Sequence, residues 1–394
     1  MTRDVVLIAG AGIGGLTAAA MLLQQGIDVE VHEQSTQLGE VGAGIQVSAN
    51  AARVYRALGM LERVRAVAAQ PSAYRFRLHD SGEVLQTIVL GEAYEARHGV
   101  PYLTVHRADL HALLVERVRQ LKSDAIHLGH RVQRIEPQDD GVALHFTDGA
   151  QASGRVLVGG DGIKSVVREH VLGAQPPRYT GDASWRLMVQ MQDLPEPHRQ
   201  HTVDIWVGPG KHAVTYPLRG GAVLNMVGCV EQRSWDGDSW ITRAPWEELE
   251  ADFRGWNDSI AAVVALAREG ECYRWAMNDR EPVPGWTRGR ATLMGDAAHP
   301  TLPYMAQGAA MAVEDAAVLA RAIARDGLAP AALHRYERHR LERTARIVRE
   351  SAANRQLFHM DSVQALRDAF ARRDMSGERN AWLFSYDPIE VPID

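Results

Sequence analysis

Asp4-Val-Val-Leu-Ile-Ala9-Gly10-Ala11-Gly12-Ile13-Gly14-Gly15, with Asp28-Val-Glu-Val-His-Glu33 after it, decides the fold. The first six residues are a short apolar run containing β-branched side chains, the pattern of a buried parallel strand. The glycines satisfy G-x-G-x-x-G, Leu16 to Gln25 reads as a helix of good formers, and Gly26 stops it. A second strand then ends on Glu33. Gly10 allows a tight turn, Gly12 lets a pyrophosphate approach the backbone, and Gly15 lets helix and strand pack closely. Free N–H groups and the positive dipole end at the start of the helix favour phosphate, while Glu33 is placed to accept ribose hydroxyls. A lone glycine motif says little, but strand, helix, second strand and acid in register predict a bound dinucleotide.

The chain has 394 residues, 46% hydrophobic and 23% charged, enough for a large core and two or three domains. A net charge of −6 offers no general attraction to nucleic acid or to an anionic membrane. Arginines crowd the last third, but interleaved acids make a solvated helix face the expected reading. Two cysteines, Cys229 and Cys272, are too few for a disulfide framework or a zinc site and fit a reducing compartment. With no stretch resembling a membrane span and a strand almost at the N-terminus, a cytoplasmic location is expected.

From Tyr74 to Leu90 apolar and polar residues alternate around an Asp80-Ser-Gly82 turn, which predicts antiparallel strands where a simple nicotinamide dehydrogenase would continue in parallel units. His106-Arg107-Ala-Asp109-Leu precedes a helix expected to run to about Leu121, with strands over 126–146 and another at Arg155-Val-Leu-Val-Gly-Gly160. Residues 181 to about 276 alternate again and are rich in tryptophan, with one helix expected near Trp246 to Trp256. Gly289 to Asp296 reads as a strand ending in Gly-Asp, Gly308 to Arg325 as a helix, and the remainder as amphipathic helices.

Three separated motifs stand in order: Gly10-x-Gly12-x-x-Gly15 with Glu33, Gly160-Asp161-Gly162, and Gly295-Asp296-Ala-Ala-His-Pro300. Together they resemble the single-component FAD-dependent aromatic hydroxylases, the group that includes the para-hydroxybenzoate and salicylate hydroxylases. The resemblance implies an α/β fold: a Rossmann-like FAD-binding domain (1–73, 100–180 and 277–340), an inserted mixed-sheet substrate domain (74–99 and 181–276) and a helical C-terminal region (341–394). It implies FAD as cofactor, O2 and NADH or NADPH as co-substrates, and hydroxylation of a small aromatic acid through a flavin C4a-hydroperoxide. No feature separates NADH from NADPH. Gly10, Gly12, Gly14, Gly15 and Glu33 would hold the ADP half, and Arg107 would lie near the flavin and pyrophosphate. Asp161 belongs to the family's Asp-Gly motif, although by itself it could cap a helix, and Asp296 would meet the ribitol or ribose. Gly308 and Ala309 open a helix beneath the flavin, where backbone N–H groups could stabilise negative charge.

Because the oxygen transferred is electrophilic, a ring hydroxyl reacts best as phenolate, and a base beside it is expected. His212 and Tyr216, four apart on one strand, share a face and are the candidate catalytic pair; sheet residues with no such role are the alternative. They match the His and Tyr of 3-hydroxybenzoate 6-hydroxylases and 6-hydroxynicotinate 3-monooxygenases. Gln46, Pro303 and Tyr304 are expected against the substrate. Pro303 stands where the former group tends to carry Gln, and Gln46 and Tyr304 stand where the latter carries His, so the ring remains open between a hydroxybenzoate and a hydroxynicotinate. No H-E-x-x-H occurs and no metal is expected; a flavin-dependent halogenase is disfavoured because W-x-W-x-I-P is absent. Trp382-Leu-Phe-Ser-Tyr386 could pack internally or on a second copy, which leaves a homodimer open.

Overall fold

The computed structural model describes residues 3–39, 43–235, 242–268, 272–372 and 381–394. Its centre is a five-stranded sheet in the order Ala291–Leu293, Val156–Gly159, Val6–Ala9, Val29–Glu33, Ile126–Leu128, with every neighbouring pair parallel. Val5 to Ile8 are wholly buried, as a strand covered on both faces requires. Helix Ile13–Gln24 lies on this sheet and packs on helix Gly308–Asp326. A Cβ on Gly14 would come to 3.0 Å from Ala312 Cβ, and one on Gly15 would overlap the Gly10 carbonyl. These two glycines therefore set helix–helix and helix–strand spacing. Gly10 has φ +98, and a Cβ there would lie 2.5 Å from the Gly160 oxygen, so the turn requires glycine.

An eight-stranded sheet forms the second layer, ordered Thr242–Arg243, Tyr273–Asp279, Arg178–Gln190, Val223–Glu231, Lys211–Leu218, Val203–Gly208, Ala73–Leu78, Val84–Val89. All of its pairings are antiparallel except Val203–Gly208 with Ala73–Leu78. The hairpin predicted around Asp80 is present. Residues 126–146 divide between layers: Ile126–Leu128 closes the parallel sheet, while Val132–Gln138 and Gly141–Phe146 join Gln151–Gly154 in a three-stranded sheet. The single helix expected near Trp246 to Trp256 is two, Trp246–Phe253 and Asp258–Leu266. Gly255 takes φ +78 between them, and Asn257 Oδ1 caps the second by accepting the Ser259 N–H at 3.1 Å.

The arginine-rich stretch is only partly the solvated face expected of it: Arg338, Arg346 and Arg349 are exposed, but others are not. In helix Pro330–Phe358, Arg340 is fully buried and its guanidinium joins Glu314 at 2.6 Å and Asp315 at 2.7 Å. Arg343 pairs with Glu314 at 2.7 Å and donates to the Trp382 and Leu383 carbonyls, so the 382–386 segment packs on its own chain. Among the described residues, no helix is long and apolar enough to cross a membrane. Residues 40–42, within the glycine-rich stretch 37–46, and residues 373–380 lie outside the described residues.

Candidate active site

A cavity of about 720 Å³ runs from the glycine turn to the face of the eight-stranded sheet. At one end lie Gly10, Gly12, Gly14, Gly15 and Glu33. Glu33 Oε2 accepts the Ala11 N–H and Oε1 the Ser35 N–H, both at 2.8 Å, which fixes the carboxylate at the end of its strand. Gly12 precedes the helix in ordinary extended geometry (φ −72, ψ 178), and a Cβ there would meet no protein atom within 4 Å. No side chain caps this helix start and no acid stands in its first turn. Backbone donors without a cap, at a glycine whose missing Cβ leaves open cavity, fit a phosphate-bearing cofactor.

The other two motifs meet the cavity midway. Asp161 lines it, yet its carboxylate caps helix Val166–Leu172: Oδ2 accepts the Val166 N–H at 2.8 Å and Oδ1 the Ser165 hydroxyl at 2.5 Å. Burial pushes this carboxyl up, against those hydrogen bonds. Asp296 opens onto the cavity but is otherwise ringed by protein, so desolvation raises it while His299 and Arg107 oppose the rise. Its turn is anchored by Asp315, which accepts the Gly295 N–H at 2.9 Å, His299 Nε2 at 2.6 Å and Arg340 Nε at 2.7 Å. Gly308 and Ala309 begin their helix on the cavity wall, just after Ala306, whose φ of +53 is unusual for a residue with a Cβ. Such a residue persists only where its surroundings enforce it. Gln307, between them, is held by Asn50 and Ser48 at 2.9 and 3.1 Å.

The far wall belongs to the large sheet. His212 and Tyr216, both on strand Lys211–Leu218, line the cavity together, as do Gln46 and Pro303. Burial, then the nearby His359, holds the His212 imidazole well below its usual pKa, so it is neutral. Burial likewise raises the Tyr216 phenol, against the pull of Arg186. Gln46 Oε1 accepts the Tyr102 hydroxyl at 2.5 Å.

Tyr304 does not join them. It is buried behind the wall, its hydroxyl donating to Asp182 Oδ2 at 2.6 Å. The one-turn 3₁₀ segment Pro303–Met305 sends Pro303 to the cavity and Tyr304 away from it, a choice that residue type alone does not reveal.

Arg186 is a residue that motif reading missed. It lies on strand Arg178–Gln190, lines the cavity and stacks 3.8 Å from the Trp275 ring centroid. Its Nε has no hydrogen-bond partner among the described residues. Burial pulls the guanidinium down to about 10, Tyr216 and Arg107 acting in opposite directions, so it keeps its charge at neutral pH. A cation next to Trp185, in the tryptophan-rich stretch that begins near residue 181, was the available signal.

A family model described as FAD binding domain matches residues 3–351. The chain belongs to that family, and within it to the FAD-dependent aromatic-ring monooxygenases. It is 39% identical over 389 residues to 3-hydroxybenzoate 6-hydroxylase of Polaromonas naphthalenivorans, covering 98% of this chain and 94% of that one. It is 33% identical over 398 residues to 6-hydroxynicotinate 3-monooxygenase of Bordetella bronchiseptica, covering 98% and 96%. Among solved structures it resembles Klebsiella pneumoniae HpxO complexed with FAD and uric acid, with TM-score 0.85, 29% identity and coverage of 99% and 98%.

Proposed function

We propose that this monooxygenase consumes NADH or NADPH and O2 to hydroxylate a small hydroxylated aromatic acid of the hydroxybenzoate type. A heteroaromatic acid of the 6-hydroxynicotinate type is the alternative, because relatives named for each substrate match nearly the whole chain. One observation carries the reading: the cavity that starts in the open space beside Gly12 ends against His212, Tyr216 and Arg186. On this reading the parallel sheet holds FAD, the eight-stranded sheet holds the substrate, and the protein works in the cytoplasm.

When bound, FAD supplies the redox chemistry, accepting electrons from the nicotinamide and activating O2. The chain's own residues do the rest. Gly10, Gly12 and the start of helix Ile13–Gln24 receive the pyrophosphate, Glu33 the ribose hydroxyls, and Asp296 with Arg107 the middle of the cofactor. The helix start at Gly308 and Ala309 directs backbone N–H groups toward negative charge on the ring system. Arg186, a half-buried cation whose Nε has no hydrogen-bond partner among the described residues, binds the substrate carboxylate, which compensates its desolvation. Neutral His212, with Tyr216 beside it, takes the proton of the ring hydroxyl and so activates the ring toward an electrophilic oxygen.

The test is a panel of hydroxybenzoates, aminohydroxybenzoates and hydroxynicotinates given to the FAD-loaded protein. Acid-stimulated NAD(P)H oxidation with a product one oxygen heavier is expected for at least one of them. Equal oxidation with and without every acid would refute the proposal.

A further inference from the structure

His212 is buried and cannot keep a proton cheaply, so a base at that position needs somewhere to send it. The structure supplies a route. His212 Nδ1 lies 2.7 Å from His359 Nε2, and His359 Nδ1 lies 3.0 Å from Glu231 Oε1. His359 is buried, whereas the Glu231 side chain is 44% exposed, so the line of groups begins on the cavity wall and ends in solvent.

The tautomers follow from the far end. The Glu231 carboxylate only accepts, so His359 must donate to it from Nδ1–H. That leaves Nε2 of His359 as a lone pair, which must accept Nδ1–H of His212. The remaining nitrogen of His212, Nε2, is thereby a lone pair on a ring that lines the cavity. The resting chain is thus set to receive a proton at its inner end and release one at its outer end.

We propose that His212, His359 and Glu231 form a proton relay that carries the ring-hydroxyl proton of the bound acid to bulk water. The inference rests on the function proposed above. In the forward step the phenol O–H bond breaks and His212 Nε2–H forms; His212 Nδ1–H passes to His359 Nε2, and His359 Nδ1–H passes to Glu231 and on to water. Both imidazoles end in the opposite tautomer, so the relay is ready to run backward and return a proton to the product oxygen.

On balance the His359 pKa is lowered, so the ring hands a proton on and does not hold it. Burial lowers its pKa, while Asp182 and Glu231 on neighbouring strands oppose that, and Arg355 on its own helix adds to the lowering. His359 follows the last turn of helix Pro330–Phe358, where the dipole favours a cation. His212 and the Tyr304 ring complete its neighbourhood, at ring centroids 5.0 and 6.1 Å away. Asp182 is itself occupied, accepting Arg355 at 2.7 and 2.8 Å and Tyr304 at 2.6 Å. The Asp182, Glu231 and His359 group is therefore an ion-paired wall and not an open metal site.

The test follows proton release by a pH-indicator dye, in weak buffer, when FAD-loaded protein is mixed with 3-hydroxybenzoate or 6-hydroxynicotinate. An ultraviolet difference spectrum reports the bound phenolate. Wild type should release a proton on binding. Glu231→Gln, a near-isosteric change at the surface, and His359→Ala should bind the acid with little change but release the proton at least about tenfold more slowly. Added imidazole should restore His359→Ala, and the deficit should shrink as pH approaches the phenol's own pKa of about 10, where ligand arrives ionised. Wild-type release rates in both variants would overturn the relay, as would a deficit equal at every pH. Wild type that binds the acid with no proton release also overturns it while leaving the functional reading intact; wild type that binds neither acid overturns both.

Discussion

Replacing Gly12 by alanine separates the cofactor cradle from the fold that builds it. The residue has φ −72 and ψ 178, which alanine adopts freely, and its Cβ would meet nothing within 4 Å. The cofactor-free protein should therefore keep its stability, or gain roughly 0.4–1 kcal/mol from a less flexible unfolded chain. With cofactor the added methyl stands where the pyrophosphate must approach. Overpacking of that size costs about 1–3 kcal/mol, which weakens FAD binding by roughly 5- to 150-fold. Gly10→Ala is the contrast: at φ +98, with the Gly160 oxygen 2.5 Å from the new Cβ, it should lower the melting temperature of the cofactor-free protein itself. Thermal melts of the apoprotein and FAD titration by flavin fluorescence read the two effects. Gly12→Ala that binds FAD as wild type does, or that destabilises the apoprotein as Gly10→Ala does, would refute the reasoning.

Arg186→Met should raise KM for the aromatic acid by about 10- to 150-fold, the loss of a charged hydrogen-bonded pair, while the methyl ester loses little; steady-state kinetics on both compounds decide it. Tyr304→Phe should cost about 1.5–3 kcal/mol in denaturant unfolding, because a donor to the Asp182 carboxylate is lost, and leave KM unchanged. Asp315→Asn should destabilise by about 3–5 kcal/mol, since it removes the carboxylate that pairs with buried Arg340. Burial alone would raise Asp315, but His299 and Arg340 reverse this and hold it below the usual carboxylate range. A depressed folded pKa means the stabilisation is complete above the unfolded value of about 3.9 and is withdrawn as pH falls below it. The gap in melting temperature between wild type and Asp315→Asn should therefore narrow under acid, and a gap constant down to pH about 2 would contradict the assignment.

The parallel sheet was legible because its information is local: Val6–Ala9, the glycines and Glu33 each sit where backbone geometry demands that residue type. The pairing of His212 with Tyr216 was legible for a similar reason, since a strand's period of two fixes which residues share a face. Arg186 and His359 were not legible. Each matters through partners far away in sequence: Arg186 shares its wall with a strand some 25–30 residues on, and His359 reaches His212 from the end of a helix 147 residues later. The buried Arg340 escaped for the opposite reason. Its local charge pattern is that of a solvated face, and only the facing Glu314 and Asp315, one helix earlier, make burial affordable.

The central claim is that one cavity joins the FAD cradle to a base at His212, and the ratio of hydroxylated product to NAD(P)H consumed tests it most directly. That ratio, with H2O2 measured alongside, should be near one in wild type with its acid substrate. In His212→Ala, FAD should remain bound and reducible by NAD(P)H, while hydroxylation falls by about 10²–10⁴-fold and H2O2 replaces product. Unchanged coupling across pH in a stable His212→Ala variant would contradict the account.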